Sequence, residues 1–416
     1  MHVNLIAAAV PVFFAAIVVE VLVDRSRKER SYRFGTAVAD LEAGIASQVG
    51  DVFLRGLGIL IYAWVYRYRQ FEFAEGSPWP WVIGLIGIDF LYYWWHRASH
   101  VVNVLWAVHA VHHQSEDFNL AVALRQPAFE TLSIIPFHLP LALLGIDPWI
   151  YASCYAIDLI YQFWIHTELA GKLGVVEYVL NTPSAHRVHH GINPQYLDKN
   201  YGGILVVWDR LFGTYEPEGV RPTYGVTHAL RSYNPVWANL SPFYDIAVRA
   251  RQERRLIDKL RLWFAHPARL APPNGVASPI AKTESAPAGV VREKYDPAPS
   301  SRIVFYVFAH FVLLTAAGGA FMKLAETATL ATLALPGAMI LASAVALTAW
   351  IERRSWALGF DIARQIALVV AAGAYVMTFA NPLHALATAG ALAFILATLF
   401  AALRPHAEKL SRVARL

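Results

Sequence analysis

Cysteine is nearly missing: Cys154 is the only one in 416 residues, and it sits in an apolar stretch. That excludes a disulfide framework and a thiolate metal site. Charge is scarce too, at 16% of residues against 56% hydrophobic. A water-soluble domain needs more charge than this, so the composition defines a polytopic membrane protein. The formal net charge is +5, but the basic residues fall in short clusters at the ends of apolar runs. This is the pattern of topology signals and excludes a nucleic-acid partner. The first apolar run has no basic segment ahead of it and no small-residue cleavage site after it. It therefore reads as a retained membrane helix rather than a removed signal.

Apolar runs of about 20 residues mark spans. They predict an all-α fold with about nine transmembrane helices, at 3–23, 50–68, 79–97, 127–146, 148–167, 302–323, 328–350, 357–379 and 382–403. Arg25, Arg27, Lys28, Arg30 and Arg33 follow the first run, which puts that loop in the cytoplasm. Counting onward, His96 to His113 and the segment 166–300 also fall on the cytoplasmic side, although Arg67 and Arg69 fall outside. Residues 268–300 are rich in Pro, Ala and Ser and read as a linker. The expected organisation is a histidine-rich domain over 1–267, the linker, and a four-span membrane domain over 301–416. In the last domain Asp361 and Arg364 lie one turn apart and are expected to pair.

Histidine is the residue this chain has in unexpected arrangement. HRASH places His96 and His100 four apart; HAVHH holds His109, His112 and His113; HRVHH holds His186, His189 and His190. Helical positions i, i+3 and i+4 are neighbours, so each HxxHH is expected to present three imidazoles in one direction. A lone histidine is usually structural. With 16 histidines in 416 residues, however, one HxxHH arises by chance in roughly two chains per hundred, and two with an HxxxH far more rarely. Polar side chains near membrane depth are costly and tend to be functional. Eight imidazoles exceed what one ion takes and suit two. His166, ending the fifth run in WIHTE, is a ninth candidate, with Gln162 one turn before it to orient it or line the pocket. Imidazole donors suit iron, zinc, copper or nickel. Each ligand's second ring nitrogen needs an acceptor. Asp89 and Glu116 are favoured for that role, with Asp117, Glu168, Asn181 and Asp198 also near in sequence. Tyr92, Tyr93, Trp94, Trp95, Phe163 and Trp164 are candidates for the wall of an apolar tunnel.

The order HxxxH, HxxHH, HxxHH on a membrane scaffold resembles the fatty acid hydroxylase/sterol desaturase superfamily. The longer stretches DFLYYWWHRASHVVNVLWAVHAVHHQSEDFNLAVALRQ, LIYQFWIHTELAG and NTPSAHRVHHGINPQYLDKNYGGILVVWDRLFGTY are similar to its ether-lipid-cleaving, tetrahydrobiopterin-dependent branch. The resemblance covers roughly residues 40–235. It implies a non-haem diiron, dioxygen-using monooxygenase with His96, His100, His109, His112, His113, His186, His189, His190 and His166 as ligands. Zinc is a possible replacement for the two irons on purification. The superfamily often has a further histidine shortly after the position of His166; here Ala170 stands four residues on, leaving His228 or water for that ligand. No HPGG haem-binding stretch occurs, so electrons must come from a pterin or a separate redox protein. The implied reaction hydroxylates the ether-bonded carbon of an alkylglycerol, giving fatty aldehyde and glycerol. Glu116, Asp89 and Gln162 are the candidates for supporting catalytic roles.

Two other readings stay open. A sterol or carotenoid hydroxylase or desaturase of the same superfamily would share the metal site. A non-catalytic metal-binding protein or transporter would not need dioxygen, but transport ligands belong near mid-membrane on broken helices. The Ala- and Arg-rich composition leans towards a bacterial inner membrane over the endoplasmic reticulum.

Overall fold

The computed structural model describes residues 5–270 and 293–379 and, beyond them, only positions 390 and 393. It is all-helical, with no strand among the described residues beyond two isolated bridges, Leu180 to Leu205 and Gly191 to Tyr224. In chain order the helices are α1 (Leu5–Asp24), α2 (Phe34–Tyr66), α3 (Trp79–Val101), α4 (Asn103–His113), α5 (Leu120–Ala123), α6 (Glu130–Leu143) and α7 (Pro148–Trp164). They continue with α8 (Pro183–His189), α9 (Val207–Leu211), α10 (Pro235–Gln252), α11 (Leu256–Phe264), α12 (Ser301–Leu324), α13 (Leu330–Ile351) and α14 (Ala357–Phe379). The chain divides into two compact units, 1–231 with 237–295, and 232–236 with 296–416.

In the first unit α3 packs against α4, α6 and α7, α2 lies along α6, and α1 along α7. The apolar core between them holds Tyr62, Ile88, Leu141, Ile146, Tyr151 and Cys154. Local chemistry sets the joints. Asp147 caps α7 by accepting from Trp149 N at 2.8 Å, with Pro148 at the first helical position. The preceding Gly145 has φ +89°, and a Cβ there would stand 2.2 Å from Phe71 O, so only glycine fits. Val102 is extended (φ −121°, ψ 117°) and separates α3 from α4. This single break folds the HRASH end of α3 against α4.

The span expectation is only partly met. Among the described residues three helices are long and apolar enough to cross a membrane: α1, α12 and α13. A fourth crossing is available if α2, bent by 47° between Phe34–Leu54 and Gly56–Tyr66, counts as one span. The run 127–146 yields only the 14 residues of α6, and 148–167 the 17 of α7. At ~1.5 Å per residue neither reaches the ~30 Å of a hydrocarbon core. Runs 79–97 and 357–379 are helices α3 and α14 but do not qualify; they carry Asp89, His96 and Arg97, and Asp361 and Arg364. The run 382–403 lies outside the described residues, as does linker segment 271–292. Helix α2 starts well before the expected 50, because residues 34–49 turn a buried face carrying Asp40, Glu42 and Ser47 into the protein.

In the second unit α13 packs on α12 and α14. Arg364 and Asp361 do pair, at 2.6 Å, and both are buried. Asp361 also accepts from Tyr306 OH and from Trp350 Nε1 (2.9 Å).

Candidate metal centre

All nine predicted histidines are buried and fall into two groups. His96, His100, His109, His113 and His189 form one; His112, His166, His186 and His190 form the other. Within each group the candidate ligand atoms lie within 4.8 Å of one another. The groups touch: the His113 and His190 rings stack at 4.4 Å, and those of His186 and His189 at 5.3 Å.

The expectation that each HxxHH points three imidazoles one way is corrected here. His109 and His113, four apart on α4, serve the first group, while His112 serves the second. The second motif mirrors this: His186 and His190 serve the second group and His189 the first. At ~100° per residue, an i+4 neighbour lies ~40° round the helix and the i+3 neighbour ~60° the other way. Consecutive histidines therefore diverge by ~100° and reach two different points. Each motif gives two donors to one site and one to the other, so two copies build two adjoining sites.

The ring nitrogens facing away from the groups fix the tautomers. His112 Nδ1 meets Arg125 O at 3.0 Å and His166 Nδ1 meets Gln162 O at 2.8 Å. His96 Nδ1 meets Tyr201 O at 2.8 Å and His189 Nδ1 meets Lys199 O at 3.0 Å. A carbonyl only accepts, so each of these Nδ1 atoms carries the proton and each Nε2 presents a bare lone pair. Yet His112 Nε2 and His166 Nε2 stand 3.1 Å apart. Two lone pairs at that distance repel unless one ring is protonated or a cation lies between them. Burial opposes protonation, lowering His112 to about 4 and His189 to about 3, and holding His109, His113, His186 and His190 well below the usual range. A divalent cation satisfies this donor set. His100 Nε2 adds a buried nitrogen with no hydrogen-bond partner among the described residues.

The expected carboxylate acceptors stand elsewhere, and neither group contains a carboxylate. Asp89 accepts from Ile204 N (2.6 Å) and Trp208 Nε1 (2.7 Å). Asp209, which sequence reasoning missed, accepts from Tyr201 N (2.7 Å) and Gly202 N (2.8 Å). Together they pin the segment whose carbonyls, Lys199 and Tyr201, hold His189 and His96. Burial raises the Asp209 carboxyl above its ordinary value, against the hydrogen bonds from Thr214, Tyr201 and Gly202. Glu116 accepts from Tyr295 N at 2.5 Å, and Asp117 pairs with Arg33 and Lys294. Glu168 accepts from Tyr224 OH, and Asn181 Nδ2 donates to Gly202 O at 2.6 Å. Asp198 comes nearer, 3.9 Å from His100 Nδ1. Gln162 orients His166 through its main-chain carbonyl, while its side-chain amide donates to Asp158. His228 is exposed and belongs to neither group. Arg125, which is buried, was also missed; an arginine directly after the apolar stretch LAVAL was the available signal.

The aromatic residues divide. Tyr92 and Trp95 face His96, at 5.2 and 6.0 Å between ring centres. Tyr93 and Trp94 pack on Phe212 instead, and Phe163 stacks on Phe13 at 4.1 Å. Trp164 is 37% exposed.

Apolar helices of membrane-spanning length, together with two adjoining, buried, all-imidazole clusters on other helices, define an integral membrane protein of the histidine-box class. Residues 81–214 match the model of the fatty acid hydroxylase family, and the chain belongs to that family. Its similarity is strong to two alkylglycerol monooxygenases. It is 38% identical to that of Xenopus tropicalis over 307 residues, 73% of this chain and 68% of that protein. It is 41% identical to that of Homo sapiens over 240 residues, 57% of this chain and about half (54%) of the human one. The ornithine lipid hydroxylase OlsE of Rhizobium tropici is 31% identical over 135 residues, 32% of this chain and 41% of that one. No solved structure is a significant match.

Proposed function

We propose that this protein is a membrane-bound lipid monooxygenase that hydroxylates the ether-bonded carbon of alkylglycerols. The hydroxylated product is a hemiacetal, which falls apart into fatty aldehyde and glycerol. The observation that carries the reading is the division of nine buried histidines into two touching sites in a chain 38% identical to an alkylglycerol monooxygenase. Two iron ions held by these residues would supply the dioxygen-activating redox chemistry that side chains lack. His96, His100, His109, His113 and His189 would hold one, and His112, His166, His186 and His190 the other.

The chain's own contribution is preparation. Burial keeps the imidazoles neutral and therefore able to ligate. The carbonyls of Arg125, Gln162, Lys199 and Tyr201 lock four rings in the ligating tautomer. Tyr92 and Trp95 place apolar surface beside His96 and keep water from it. Tetrahydrobiopterin is the proposed reductant, supplying two electrons so that one oxygen atom enters the lipid and the other leaves as water.

The test is fatty-aldehyde release from a 1-O-alkylglycerol by iron-loaded protein with dioxygen and tetrahydrobiopterin. Aldehyde that needs the pterin and is lost in His112→Ala is the expected result. No aldehyde from folded protein carrying two irons would overturn the alkylglycerol reading and direct the search to sterols and other lipids with a different reductant.

A further inference from the structure

Helix α11 is short, basic and apolar on its outer side. Leu256, Leu260 and Phe264 follow one another at i, i+4 and i+8, and Ile257 flanks them. They are 72, 50, 70 and 51% exposed in that order, which is unusual for four large apolar side chains on nine residues. An open depression of about 670 Å³ lies beside Ile257, Leu260 and Phe264, with Asp258 and Arg261 also in its lining. The surrounding charge is positive in excess. Arg249 and Arg261 are neutralised by Glu253 and Asp258. Arg251, Arg254, Arg255 and Lys259 have no carboxylate partner among the described residues.

The C-terminal end of α11 is tied to α4. Asn103 donates from its backbone N to Ala265 O (2.9 Å) and from its side chain to Leu262 O (2.6 Å). Asn103 is the first residue of α4, the helix that carries His109, His112 and His113. Helix α11 is therefore hydrogen-bonded to the first residue of the helix that carries three of the nine histidines.

We propose that α11 is an interfacial anchor that lies in the plane of an anionic lipid surface. Its apolar stripe enters the boundary between headgroups and acyl chains, and the preceding arginines meet the lipid phosphates. An apolar stripe beside excess cations fits this occupant, since each part finds its complement in one anionic monolayer. A soluble acidic partner would satisfy the arginines and leave the stripe in water. The anchor fixes the depth of α4, and so of both metal sites, relative to the headgroups.

Three full-length variants test this: Leu260→Cys and Phe264→Cys on the stripe, and Asp258→Cys off it, ~160° round the helix from Leu260. Each is labelled with the polarity-sensitive fluorophore NBD and placed in nanodiscs of phosphatidylcholine with or without phosphatidylglycerol. Native Cys154 is buried and provides the labelling blank. With phosphatidylglycerol, the probes at 260 and 264 should emit to the blue and be quenched by bromine-labelled acyl chains about twofold more than the probe at 258. Arg254→Glu with Arg255→Glu should return that quenching to its value in phosphatidylcholine alone. Water-like emission at all three positions would overturn the proposal. Blue emission without lipid quenching would overturn it by assigning the stripe to a protein. Equal quenching in both bilayers would overturn the choice of an anionic surface.

Discussion

Arg125 offers the sharpest test of how the second metal site is built. It is 4% exposed, and its partner Asp40 is fully buried. Its guanidinium donates to Val111 O (2.6 Å), Asp40 Oδ1 (3.1 Å) and Gln114 Oε1 (2.8 Å), while its carbonyl accepts from His112 Nδ1. Arg125→Leu removes the cation and leaves Asp40 with Ser115 Oγ, at 3.0 Å. Breaking a buried pair on one side costs about 3–5 kcal/mol, because a charge is left without its counterion. Asp40→Leu combined with Arg125→Leu removes both charges and should recover most of that loss. Denaturant unfolding of the detergent-solubilised chain, followed by tryptophan fluorescence, measures each variant. A single substitution costing under about 1 kcal/mol, or a double variant equal to the sum of the singles, would refute the claim that this pair is coupled and dry. The single variant should also hold metal at the four-histidine group about 10–100-fold more weakly, since the carbonyl that orients His112 loses its support.

Other outcomes follow from the same geometry. Metal analysis of the intact protein should find two ions per chain; His186→Ala should lose the ion of the four-histidine group first, and His96→Ala that of the five-histidine group. Asp209→Asn should weaken metal retention about 10–100-fold against a chelator by loosening Tyr201, whose carbonyl holds His96. Gly145→Ala should destabilise the α6–α7 turn by about 1–3 kcal/mol, read as a lower unfolding midpoint, because φ is +89° and Phe71 O occupies the Cβ position.

The clustered histidines were legible in the sequence because their spacing is local. HxxxH and HxxHH are statements about one helix, and a scarcity of other polar groups made them stand out. His166 was legible for a related reason, as a histidine closing an apolar run. The supporting groups were not legible. The carbonyls that set the tautomers come from ordinary residues; Tyr201 is 105 positions from His96, and Arg125 is 13 from His112. A main-chain oxygen has no signature in a sequence, so the search turned to carboxylates instead. Asp89 was found for the wrong contact: it pins the 204–208 segment rather than a histidine.

By itself, then, the sequence determined the solvent this chain lives in, its helical class, and the nine imidazoles. Composition and helical periodicity suffice for those, since both act over a few residues. Only the tertiary structure decided how the imidazoles combine. Helical spacing splits each motif two and one, and the approach of α8 to α4 joins His109 and His113 with His189, and His112 with His186 and His190. That pairing is a property of where two helices meet, and no single helix contains it.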